Sequence, residues 1–63
     1  MQYIKRDYRL YGLDENGHIL TAEWVQADND EAAVVFARAM KKSLRSELWL
    51  QNQLVAEIDA HKD

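Results

Sequence analysis

DNDEAAVVFARAMKK, from Asp28 to Lys42, is the stretch whose reading decides the fold. Asp28 stands where its carboxylate can accept from the free backbone N–H groups of a first helical turn. Glu31, three residues on, reaches back at the spacing of a capping box. Asp30 and Glu31 put negative charge at the positive end of the helix dipole, and Lys41 and Lys42 put positive charge at the other end. At about 100° per residue, Ala32, Ala33, Phe36, Ala39 and Met40 share one face, with Val35 and Leu44 at its margins and Glu31, Arg38 and Lys41 opposite. Val34 alone breaks the pattern. The alanines let the helix axis approach a sheet closely, so the pattern predicts Phe36 at the centre of the core.

Upstream, residues from Tyr3 to Leu13 carry β-formers in rough alternation, and Asn16-Gly17 supplies a turn where φ > 0 is wanted. If Glu15, Asn16 and Gly17 form a three-residue loop, Asp14 faces His18 and Leu10 faces Ala22. One face of the hairpin then gathers Tyr8, Leu10, Leu20, Ala22 and Trp24, whereas a four-residue loop would split that apolar set. Trp24 therefore reads as core. Downstream, Ser43 to Ser46 connects the helix to a second hairpin. Leu48, Leu50, Leu54, Ala56 and Ile58 fall on the helix side when Leu50 faces Leu54 across a Gln51-Asn52-Gln53 turn. That turn has no glycine, so Asn52 is expected to take the awkward backbone conformation.

These assignments give an α+β fold of ββαββ order, a four-stranded sheet with one helix on one face, as a single domain over residues 1–63 with its ordered core at about residues 3–58. The first few residues and the tail from Asp59 are expected to fray. The uncovered sheet face is then expected to show Arg9, Tyr11, Leu13, Ile19, Thr21, Glu23, Val25, Glu47, Trp49, Val55 and Glu57. Aromatics within a polar rim are the usual composition of association surfaces. The expected interaction surface, for self-association or a protein partner, is Tyr11, Trp49 and Val55, with Arg9 and Ile19 beside them; the other reading of this face is a solvated sheet with scattered apolar residues.

Composition narrows the chemistry. A chain of 63 residues removes only about 60% of its unfolded surface from water, so good local packing or self-association is the expected source of extra stability. There is no cysteine, which excludes disulfides and thiolate metal sites, and His18 and His61 lie too far apart in sequence to argue for a metal. Capping accounts for Asp28, Asp30 and Glu31 without a calcium loop. Neither Ser43 nor Ser46 lies in a nucleophile elbow, and Gly12 and Gly17 form no phosphate-cradling loop. We therefore expect no enzyme, no cofactor, no metal and no small-molecule substrate.

A net charge of −3 argues against a polyanion as main ligand. The alternative is single-stranded nucleic acid stacking on Arg9, Tyr11 and Trp49, with Lys41, Lys42 and Arg45 on phosphates. Glu23, Glu47 and Glu57 on the same face would oppose it. No apolar run reaches signal-peptide or membrane-span length, so a cytoplasmic protein is expected.

The combination YRLYGLDENGHI, then an acidic cap from Asp28 to Glu31, then Glu47-Leu48-Trp49 followed by LVAEI, resembles a group of short uncharacterised bacterial proteins common in alphaproteobacteria. The similarity runs from Tyr8 to Ile58. It implies a bacterial source and the ββαββ unit, and brings no activity with it. The turn after Trp49 often contains glycine in that group and does not here. In layout the chain also resembles the immunoglobulin-binding domains of streptococcal protein G, which implies strand order 2-1-4-3. A crossover placing strands 2 and 3 side by side is the alternative.

Overall fold

The computed structural model describes residues 5–62. Tyr3, where the first strand is expected to begin, lies outside the described residues. Strands β1 (Arg6–Leu13) and β2 (Ile19–Ala27) precede helix α1 (Asp30–Ala39), and β3 (Arg45–Leu50) and β4 (Gln53–Ile58) follow it. All neighbouring strands are antiparallel in one sheet, in the order β2-β1-β3-β4. This corrects the expected 2-1-4-3. Strand β1, with Tyr8 and Leu10 buried, and strand β3, with Leu48 buried, take the centre, Tyr8 facing Leu50 and Leu10 facing Leu48. Strand β4, which carries Gln53 and Glu57, lies at an edge, where unpaired backbone and charge are tolerated. The helix thus links β2 to β3 with β1 between them, a split βαβ crossover.

The first hairpin shows how one residue redirects a strand. The loop is the expected one: the Asp14 amide donates to the His18 carbonyl at 2.9 Å, that of Gly17 donates to the Asp14 carbonyl at 3.1 Å, and Gly17 has φ 83°. The Asp14 carboxylate also accepts from the amides of Asn16 and His18, each at 2.8 Å. Two residues further a β-bulge makes Leu20 the extra residue, so Gly12 faces Thr21 while Leu13 faces Ile19. Side chains alternate with period two, so the bulge exchanges the faces of everything beyond it. Val25 and Ala27 turn into the core, and Trp24 turns out to 67% exposure.

A second bulge does the same between β3 and β4. Leu50 faces Gln53 across a two-residue loop, with Gln51 rather than Asn52 at positive φ (54°). Val55 is the extra residue, and Trp49 then faces Leu54. The expected places are reversed: Leu54 is exposed, and Val55 packs against the core.

The helix is shorter than expected and turned about its axis. Asn29, not Asp28, is its cap, with its side-chain oxygen accepting from the Ala32 amide at 2.8 Å. Asp30 and Glu31 do occupy the first turn and Arg38 the last. Ala33 and Ala37 face the sheet, with Ala32 and Val34 at the edges of the contact. Phe36 is 51% exposed, and Val35 and Met40 are exposed too. A helix lying close over a thin layer buries its smallest residues, and a phenyl ring at that contact would hold it off the sheet.

The core is therefore Tyr8, Leu10, Val25, Ala27, Ala33, Ala37, Leu48 and Ile58. Leu13 is buried outside this cluster. The Tyr8 hydroxyl donates to Asp30 Oδ1 at 2.6 Å, tying the central strand to the first helical turn, and Arg6 Nη1 reaches the same oxygen at 3.6 Å. Burial, then the bond to Asp30, raises the Tyr8 phenol above its ordinary value. Beyond the helix, Lys41 at φ 51° turns the chain, Lys42 pairs with Glu23, and the Lys42 carbonyl accepts from the His61 amide at 2.8 Å.

Candidate interaction surface

The uncovered face of the sheet is built from the side chains of β1 that alternate away from Tyr8 and Leu10, and from their cross-strand partners. Arg9 on β1 lies opposite Trp24 on β2 and Trp49 on β3, and Trp49 lies opposite Leu54 on β4. One row therefore runs across all four strands as Trp24, Arg9, Trp49, Leu54. Both tryptophans of the chain are in it. The neighbouring row is Ala22, Tyr11, Glu47, Glu57, and at the far end Leu13 lies between Ile19 and Arg45.

Local contacts hold the row in shape. The Arg9 guanidinium carbon sits 4.3 Å from the centroid of a Trp24 ring, a cation–π contact that orients both side chains. Trp49 Nε1 donates to Glu47 Oε1 at 3.2 Å, which fixes the second indole along its own strand. Gln26 Nε2 donates to Asp7 Oδ1 at 2.8 Å beside Trp24. Between these groups lies a broad open hollow lined by Lys5, Asp7, Arg9, Tyr11 and Trp24. A shallower one is lined by Tyr11, Ile19, Glu47 and Trp49.

Four of the five expected surface residues, Arg9, Tyr11, Ile19 and Trp49, share this face. Val55 does not, because the β4 bulge carries it toward the core. Trp24 belongs to the surface although its sequence pattern places it inside. The signal for it is a change of parity: Leu20, Ala22 and Trp24 alternate in one phase, and Ile19, Val25 and Ala27 in the other. Apolar residues in both phases of one strand mark a bulge between them. Thr21 and Glu23 move with Val25 to the helix side, so Glu47 and Glu57 remain on the open face without Glu23.

His18 is exposed beside the first turn, its Nδ1 3.3 Å from Asp14 Oδ2. Among the described residues no three His, Asp or Glu side chains converge as a metal site. Among them no helix is long and apolar enough to cross a membrane. No protein-family model, curated protein or solved structure matches the chain.

Proposed function

We propose that this chain is a protein-interaction module whose contact surface is the open face of its sheet. The observation that carries the reading is the row Trp24, Arg9, Trp49, Leu54 with Tyr11 beside it. Trp, Tyr and Arg are the residue types that dominate binding energy at protein interfaces, because each brings a large, semi-rigid apolar area with a polar end. Here they are held in place before any partner arrives, by the Arg9–Trp24 stack and the Trp49–Glu47 hydrogen bond, so little side-chain entropy is lost on contact.

Cross-linking in cells tests this. A photoreactive side chain in place of Trp24 should capture protein, whereas the same group in place of Val35 on the outer side of α1 should not. Capture from position 35 alone would overturn the reading.

Stacking of single-stranded bases is the second reading, supported by the same aromatic row and by the removal of Glu23 from this face. It predicts that an oligonucleotide quenches indole emission and that salt reverses the quenching. Glu47 and Glu57, facing each other across β3 and β4, weigh against it.

A further inference from the structure

The partner on the open face is, we infer, a second copy of this chain, packed sheet against sheet about a two-fold axis; this rests on the open face being the interaction surface. The first support is area. Four strands at about 4.8 Å spacing, of six to nine residues at about 3.3 Å each, make a face of roughly 20 by 25 Å. The flat area is roughly 500 Å², and the relief of two indoles and a phenol raises it toward the ~800 Å² per partner of a stable interface. The exposed apolar stripe of α1, with Val35, Phe36 and Met40, belongs to a helix of ten residues about 15 Å long and offers far less.

The second support is charge. The open face carries Lys5, Arg9 and Arg45 against Asp7, Glu47 and Glu57, so it is balanced within itself. A face of even charge meets its own copy without net repulsion and gives a strongly charged partner nothing to hold. It is also internally unfinished. Glu47 and Glu57 stand directly opposite each other, a like-charge pair that costs stability in the monomer, and neither has a cation partner among the described residues. In an isologous pair, Arg9 or Arg45 of one copy can approach the carboxylates of the other, and the same contact occurs twice. The two hollows beside Trp24 and Trp49 then receive the side chains of the opposite row.

The chain reports on this contact by its own fluorescence, because its two tryptophans both lie on the proposed interface and there are no others. The experiment is light scattering on the purified chain across a wide concentration range, with indole emission recorded on the same samples. The expected result is a mass that rises from one copy to two, with emission moving to shorter wavelength in step. Trp24→Ala should weaken the dimer by at least tenfold, and Tyr11→Ala should weaken it while both indoles remain to report. A chain monomeric at every concentration overturns the second-copy inference, and capture of a different protein from position 24 in cells would still support the open face. A dimer whose emission does not move, or one that Phe36→Ala dissolves and Trp24→Ala does not, places the contact elsewhere and overturns the inference.

Discussion

The two faces of the sheet are made of different side chains. Toward the helix lie Leu10, Val25, Leu48 and Ile58 with alanines above them, and away from it lie Trp24, Trp49, Tyr11 and Leu54. Apart from Tyr8, the covered side is aliphatic and small, and most of the aromatic area is on the side the chain leaves uncovered. Hydrophobicity by itself does not decide which residues are inside; the covering element does. A ten-residue helix that approaches through Ala33 and Ala37 closes over leucine and valine, and Phe36 on that same helix is left outside.

The contrast is sharpest for Leu48→Ala against Trp24→Ala, both measured by urea unfolding at a concentration low enough to keep the chain monomeric. Leu48 has 0% exposure, and its truncation should cost about 2–5 kcal/mol, a large part of the stability of a domain this size. Trp24→Ala should cost under about 1 kcal/mol. Equal costs would break the distinction between the faces. Phe36→Ala belongs with Trp24→Ala, and a loss of about 3 kcal/mol would return Phe36 to the core.

Gly12→Ala should come next, at about 1–3 kcal/mol. A Cβ there would clash with Thr21 Oγ1 and sit 3.2 Å from Leu44 Cδ1, so both side chains would have to shift. A Thr21→Ala background should recover part of the loss, because it removes the nearer of the two contacts.

Tyr8→Phe should cost about 1 kcal/mol at neutral pH through the lost bond to Asp30. It should also change the alkaline limb. Burial and Asp30 raise the Tyr8 phenol in the folded chain, so its contribution to stability is whole below the unfolded value of about 10 and is lost as pH rises through the folded one. Unfolding measured from pH 8 to 11 should show the wild type losing more stability than Tyr8→Phe. Parallel curves would mean that the phenol is not held neutral by the fold. The smallest effect expected is a gain: Lys41→Gly, at a φ of 51° just past the helix, should add about 0.5–1 kcal/mol.

The legible parts of the molecule are those written in local chemistry. Asp14 with Asn16-Gly17 specifies a loop because a side-chain carboxylate and a glycine each serve one backbone need, and the loop forms as read. The helix is marked by its acidic start, and its cap moves by only one residue, to Asn29. What was not legible depends on a single inserted residue or on distant pairing. Leu20 and Val55 each shift a strand by one, which sends Trp24 out and Val55 in, and no turn residue announces either bulge. The place of β3 beside β1 is set by Leu48 and Leu50 meeting Leu10 and Tyr8, a choice between strands that alternation within one strand does not encode. Arg9, Tyr11, Ile19 and Trp49 share the open face as read because they lie on stretches whose phase no bulge disturbs relative to β1.

The central position of β1 also sets an order of assembly. Its pairing with β2 closes across a short loop, but its other edge waits for β3, with the whole helix between them. Local hairpins form in about 1–10 μs, whereas joining them must first overcome the entropy of the intervening chain. Until β3 docks, β1 is thus paired on one side only. In that state its free backbone edge can take a strand from another molecule, so slow joining of the two hairpins exposes the chain to aggregation.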